Sequence, residues 1–349
     1  MYLFTRKWSG KNPMLSRKIK DGDVFIVFDL EWNQPLPGKE YSFDVSTLTG
    51  EIIEIGAVRL VYQDGMLIEH GVFSCDIKPV CYKTIHYHVK KVTHKTNADL
   101  ARGESFKDAY TKFREFCGDD AILAGWGNND TDMLKMNLKF FDMDDRIGMF
   151  FLDVQPLFSV FSTEKGKQRS VEFAVDYYNV PKEEDFHSAT ADAKYTARIL
   201  ENIFDRNQTS EVLSVISSSS VNCDIKREYT KVGAACEHTS QALSLVSGFS
   251  VKCPICGRNF NIKMEPFRIR KSVYALYECP NDGEFFCRTR IKKNREGKYY
   301  AASVLRFATQ PDYYLAAAKR EEFEKFGVDG EPVAKPEPEQ EPEAQAESE

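Results

Sequence analysis

Residues 24–32, Val24-Phe25-Ile26-Val27-Phe28-Asp29-Leu30-Glu31-Trp32, decide the fold. Five consecutive apolar residues bounded by polar ones predict a central strand buried on both faces. The run ends in Asp29 and Glu31, and a spacing of two along a strand puts both carboxylates on one face. Two acids beside an apolar strand repel each other and lose hydration. A divalent cation would offset both effects. The alternative is a strand end whose acids simply point into water.

The pattern continues outward from this strand. Residues 52–60 and 69–77 are β-branched segments bounded by turns, close enough in sequence to form an antiparallel meander with the first strand. Ser105-Phe-Lys-Asp108 has the capping-box pattern, and Phe106, Tyr110, Phe113 and either Phe116 or Cys117 share one helical face beyond it. A strand over 121–126, a helix over 130–141, a short strand over 149–153 and helices near 170–178 and 188–204 follow. Strands first, then alternating helices and strands, predict an α/β domain over 1–205, a mixed sheet flanked by helices. Residues 206–247, with the run Ser217–Ser220, predict a linker carrying one possible helix. A small β module is expected over 248–308 and a C-terminal helix over 309–328. The Pro/Glu-rich segment 329–349 is expected to be a disordered acidic tail.

Two further features accompany the first pair of acids. Asp130 follows the turn Trp126-Gly-Asn-Asn and opens a helix. His187 and Asp192 lie in HSATADAKYTARIL, where the small residues Ala189, Ala191 and Ala193 would let a helix approach the sheet closely. Taken singly, each has an ordinary reading: a helix cap for Asp130 and a surface or core residue for His187.

In order, Asp29-x-Glu31, Ile53-Glu-Ile-Gly-Ala-Val58, Asp130 with Leu134 four residues on, and His187-x-Ala189-x-x-Asp192-Ala193 resemble the DEDDh 3′–5′ exonuclease family. This is the RNase T and proofreading-subunit superfamily, with an RNase H-like fold, and the resemblance covers about residues 20–205. Trp126-Gly127 before Asp130, and FDLEWNQ at the first motif, resemble the branch of sporulation-inhibitor-like and histone-mRNA exonucleases, which leans toward RNA. The stretch 33–50 is longer than the family pattern.

The resemblance implies a metal-dependent exonuclease releasing nucleoside 5′-monophosphates from single-stranded nucleic acid, RNA favoured over DNA. Two Mg²⁺ or Mn²⁺ ions about 4 Å apart would sit at the terminal phosphodiester. Asp29 would bridge them, Glu31 and Asp192 would complete one shell, and Asp130 would hold the other ion through water. His187 would be the general base, an imidazole with an ordinary pKa of about 6.5. Asp132 rivals Asp130 but lies about 200° round the helix from it, so only one can face the metals; the family pattern favours Asp130. Leu30 and Trp32, which flank Glu31, are candidate substrate contacts. Trp32 could stack on a base or be a packed aromatic at the strand end. Competing functions are a binding adaptor with an inactive nuclease fold and a phosphodiesterase acting on short oligonucleotides.

Late in the chain, Cys253-Pro-Ile-Cys256-Gly forms a knuckle, and Cys279-Pro-Asn-Asp282-Gly resembles a second, as in a zinc ribbon. The fourth ligand is Cys287, the better zinc ligand chemically, or Asp282, which stands where a ribbon usually has a second cysteine or histidine. Strand rise would carry Cys287 away from Cys279 unless the chain turns back. Metal-free knuckles and a redox pair are the alternatives. Residues 251–300 hold twelve basic and five acidic side chains with interleaved aromatics. That composition fits a single-strand-binding surface, or a solvated basic hairpin with a small aromatic core.

The 349-residue chain carries a net charge of −6, of which residues 329–349 contribute −7, so the remainder is nearly neutral. With 42% apolar residues it can bury a core. It has no apolar run of membrane-spanning length. Six basic residues and no acid among the first twenty, without a following apolar core, argue against a secretory signal. Nine cysteines in such a chain argue against a disulfide framework and for a cytoplasmic protein.

Overall fold

The computed structural model describes residues 17–164, 167–226, 228–247 and 252–328; the acidic segment 329–349 and most of the basic N-terminus lie outside them. The first strand, β1 (Val24–Asn33), is followed by β2 (Glu51–Gln63) and β3 (Met66–Asp76). Helices α1 (Tyr87–Thr93), α2 (Asn97–Leu100) and α3 (Phe106–Cys117) come next. Then β4 (Ile122–Gly125), α4 (Asn129–Phe140), β5 (Phe150–Asp153), α5 (Val154–Phe161), α6 (Val171–Tyr178) and α7 (Ala189–Arg206) complete the expected order. The sheet runs β3-β2-β1-β4-β5, with β1 antiparallel to β2 and parallel to β4. It is the mixed sheet the pattern predicts.

β1 is central because its residues are apolar on both faces. Phe25 and Val27 pack with Val58, Leu60 and the inner face of α7. Ile26, Phe28 and Leu30 pack with Phe113 of α3 and with Leu134 and Leu138 of α4. Ser105 caps α3, accepting from the Asp108 N–H at 3.1 Å. The alanines of α7 are buried, and a Cβ on Gly56 of β2 would lie 2.2 Å from the Ala189 carbonyl carbon. Glycine and alanine together permit this close approach, and it sets α7 directly over β2.

The segment expected as a linker is folded. Helix α8 (Thr209–Ser219) places Val212, Val215 and Ile216 into the first core. Strand β6 (Val221–Asn222) pairs antiparallel with β5 and extends the sheet. Strand β7 (Glu228–Val232) belongs to the second sheet, and α9 (Thr239–Ser247) packs on that sheet with Ala242 and Val246 against Ala301. The serines hide α8 because its apolar residues are only four, with Val212, Val215 and Ile216 fully buried at i, i+3 and i+4 and Leu213 packed beside them.

The second sheet holds β8 (Asn261–Ile269), β9 (Ser272–Cys279), β10 (Gly283–Lys293) and β11 (Tyr299–Phe307), all antiparallel, in the order β7-β11-β10-β9-β8. Helix α10 (Gln310–Phe326) lies against one end of it, with Ala316 and Phe323 on Phe267, Leu276 and Phe286. Gln310 Oε1 accepts from Ser218 Oγ of α8 at 3.1 Å, tying the two sheets together.

Candidate active site

The acids converge because four elements end at one place. Asp29 and Glu31 leave the C-terminal end of β1 on the same face, and Asp192 comes from the first turn of α7. One carboxylate oxygen from each of these three lies within 4.8 Å of the others. Asp130, in the first turn of α4, is buried beside Asp29 and accepts backbone hydrogen bonds from Leu30 and from its own N–H. Asp132 is exposed and lines a different cavity. Asp153 at the end of β5 accepts from Gly127 N–H at 2.9 Å and so fixes the turn that presents Asp130.

Crowding and burial shift these acids strongly. Desolvation, reinforced by Asp192 and Glu54, pushes Glu31 up to about 8. Desolvation raises Asp130 to about 7, against the lowering effect of its backbone hydrogen bonds. Asp29 is raised well above the carboxylate range by burial first and by Asp130, Asp192 and Glu31 next. Asp192 is also raised by burial, although the His187 N–H donates to its Oδ2 at 3.0 Å. A set of carboxylates that resists ionisation alone, with oxygens this close, fits a divalent cation.

His187 stands just before α7 with its backbone in the left-handed region at φ +70° and its side chain exposed. Such a backbone costs a non-glycine residue about 1–3 kcal/mol. The turn directs the His187 N–H into Asp192, while the imidazole stays accessible to solvent. Leu30 is buried in the core. Trp32 is half-buried and lies under Gly50, where a Cβ would come within 2.4 Å of its ring.

Two residues of this site carry no role in the sequence reading. Glu54 lies directly opposite Glu31 in the β1–β2 register and is buried. Its carboxylate accepts from Ser188 Oγ at 3.1 Å and lies 3.1 Å from Lys95 Nζ, which also meets Asp76 at 2.6 Å. The signal for Glu54 was an acid inside the apolar run Ile52–Val58. Lys95 follows α1 in a loop and had none.

The cysteine site is built from two turns. Gly257, at φ +73°, closes the first knuckle, and its N–H donates to the Cys253 carbonyl at 2.9 Å. The β9–β10 turn brings Asp282 back toward Cys279. Ligand atoms of Cys253, Cys256, Cys279 and Asp282 all lie within 4.8 Å of one another. Asp282 Oδ2 is 3.2 Å from both Cys253 and Cys279 Sγ, and Cys256 and Cys279 Sγ are 3.4 Å apart. Tetrahedral zinc with bonds of about 2.3 Å needs sulfurs about 3.8 Å apart, so small outward shifts would admit the ion. Cys287 is not in this group, which corrects its assignment as first-choice fourth ligand. In the β9–β10 register Cys279 faces Gly283, and Cys287 lies four residues further along, about 13 Å at strand rise. It is buried in the sheet core with Phe285 and Leu305.

The sequence profile of the RNase T family, described as an exonuclease, matches residues 26–200, half of the chain. The chain belongs to the RNase T exonuclease family. The chain is 27% identical over 184 residues to the PolC-type DNA polymerase III of Clostridium perfringens (strain 13 / Type A). That stretch is 53% of this chain and 11% of the polymerase, so the chain spans about a ninth of that relative. Among solved structures, it is similar to a full-length 3′-exonuclease at 15% identity and a TM-score of 0.46, covering 54% of this chain and 84% of that one. It is similar to the cell-death related nuclease 4 (CRN-4) at 12% identity and a TM-score of 0.45, covering 68% and 88%. No helix among the described residues is long and apolar enough to cross a membrane.

The raised acids tie stability to pH. An acid whose pKa is raised by folding stabilises the fold below its unfolded value of about 4, and that contribution is lost as pH rises through the folded value. For Asp130 and Glu31 the loss should fall between about pH 4 and 8. In divalent-free buffer, melting temperature should therefore decline from pH 5 to 8, and the gain from added Mn²⁺ should widen over the same range. Glu31→Gln should flatten the decline; a Mn²⁺ gain that is constant with pH would contradict the assignment. At the cysteine site, elemental analysis of chelator-free protein should find about one zinc per chain. Cys256→Ser should lower that content, and Cys287→Ser should leave it unchanged.

Proposed function

We propose that the chain is a divalent-metal-dependent 3′–5′ exonuclease that shortens single-stranded nucleic acid, RNA in preference to DNA, to nucleoside 5′-monophosphates. The observation that carries this reading is the convergence of Asp29, Glu31 and Asp192 oxygens within 4.8 Å, with Asp130 buried against Asp29. Family membership supports the reaction class. The RNA preference rests on the motif resemblance of FDLEWNQ and Trp126-Gly127.

Asp29, Glu31, Asp130 and Asp192 are the groups that would hold Mg²⁺ or Mn²⁺. Bound there, the ions would supply Lewis-acid activation of the phosphate and an attacking hydroxide near neutral pH. The chain's own work is then orientation and proton transfer. Lys95 draws Glu54 toward itself and away from Glu31, which leaves the Glu31 oxygens turned to Asp29 and Asp192. The exposed imidazole of His187 takes the proton from the attacking water, and the Asp192 hydrogen bond to its backbone fixes where the ring starts. Trp32, half-buried at the end of β1, is the surface beside the acids on which the terminal nucleotide would rest, with Leu30 packed in the core behind it. Structural zinc at Cys253, Cys256, Cys279 and Asp282 would pin the turn between β9 and β10 to the knuckle before β8.

Incubation of the full chain with 5′-labelled single-stranded RNA, single-stranded DNA and duplexes should give a ladder shortened from the 3′ end, fastest for RNA. The ladder should require Mg²⁺ or Mn²⁺ and stop on addition of EDTA. His187→Ala should lower kcat by about 10²-fold or more while leaving Mn²⁺ binding in place. Binding without any cleavage would favour an adaptor. Cleavage confined to trimers would favour an oligonucleotide phosphodiesterase.

A further inference from the structure

Phe286, Arg288, Arg290 and Lys292 alternate along β10 and therefore share one face of the second sheet. Helix α10 covers the Phe286 end of that face. Arg290 and Lys292 remain exposed. Among the described residues, Arg288, Arg290 and Lys292 make no ion pair, and the buried Nε of Arg288 has no hydrogen-bond partner. Arg306, on the neighbouring strand, is by contrast already held by Asp312 and Glu228. Successive cations on β10 are about 6.6 Å apart at strand rise, a regular row suited to a regularly spaced polyanion.

A cavity of 440 Å³ opens over this row, walled by α5 and α10. It shares seven lining residues with a second cavity of 780 Å³, among them Gln155, Gln168, Arg306 and the two acids that Arg306 pairs, Glu228 and Asp312. The second cavity reaches Asn129 and Thr131, the neighbours of Asp130 on either side. The two form one trough leading from the side of the carboxylate site to the cations of β10.

We propose that this trough carries the backbone of the substrate strand upstream of its 3′ end, with Arg288, Arg290 and Lys292 as phosphate ligands. The proposal rests on the exonuclease reading for its direction, because the trough begins on the first turn of α4, at the two neighbours in sequence of Asp130. It makes the second sheet a phosphate track serving long strands. Nucleic acid fits better than an acidic protein because the cations are evenly spaced and the trough runs to α4, the helix that carries Asp130.

The test is binding of a labelled 30-mer single-stranded RNA to the full chain, in divalent-free buffer without chelator, over a range of salt concentrations. Arg290→Ala with Lys292→Ala alters two exposed side chains. This double variant should bind at least about tenfold more weakly, and its plot of log affinity against log salt should be shallower by about 1.4, or about 0.7 for each phosphate no longer neutralised. Cleavage of a trimer, too short to reach β10, should be unchanged. Lys107→Ala with Lys139→Ala, on α3 and α4, removes the same charge elsewhere and should change neither the affinity nor the slope. Equal affinity and slope in wild type and the β10 variant would overturn the proposal, as would an equal weakening in the control. Retained RNA affinity with abolished binding of polyglutamate would assign the face to an acidic protein instead, and would also overturn it. If neither protein cleaves trimers, the exonuclease reading fails, while the salt slopes still decide what the trough binds.

Discussion

The site depends on the contact between Gly56 and Ala189. Helix α7 meets β2 so closely that any β-carbon at position 56 would lie 2.2 Å from backbone atoms of Ala189 and Thr190. Overpacking of this kind costs about 1–3 kcal/mol when the surroundings can yield; here the neighbour is helix backbone, which cannot turn aside as a side chain can. Gly56 is also the register partner of Asp29. The contact that seats α7 therefore lies directly beside Asp29, the first acid of the cluster, and it brings Asp192, one turn further along the helix, to the end of β1. The left-handed turn at His187 and the hydrogen bond from Ser188 to Glu54 follow from the same approach.

Once the acids are assembled, their environment works against their charge. β1 is apolar on both faces, so its end offers Asp29 and Glu31 little water, and Asp130 is buried under Leu30. Burial and mutual repulsion raise these acids, so ionising them together is costly without a cation and favoured by one. Glu54 would add a further charge facing Glu31, and Lys95 offsets it at 3.1 Å. The fold thus places one neutralising cation of its own on the outer acid and leaves the inner acids for divalent ions.

Much of this was readable from residue order. β1 announced itself because burial on both faces demands an unbroken apolar run, and the two acids because a strand end is the one place such a run can carry them. The small residues of α7 forecast its close approach. Three features were hidden for physical reasons. Glu54 sits in a strand pattern that masks its partner, since Lys95 comes from a loop whose position depends on tertiary packing. Helix α8 is serine-rich and β6 is only two residues long, and both gain their stability from the core rather than from periodicity. The β9–β10 register carries Cys287 up the hairpin, so the group beside Cys253, Cys256 and Cys279 is Asp282, although sulfur is the better zinc ligand.

The central claim is that burial keeps the acids of the β1–α4–α7 cluster protonated until a divalent ion takes the place of the protons. Calorimetric titration of Mn²⁺ into the full chain at pH 6.5, in buffers of different ionisation enthalpy, tests it most directly. The expected result is a binding heat that changes with the buffer, corresponding to release of about one proton or more, and loss of both binding and proton release in Asp29→Asn. A heat independent of buffer, or an isotherm that Asp29→Asn leaves unchanged, would contradict it.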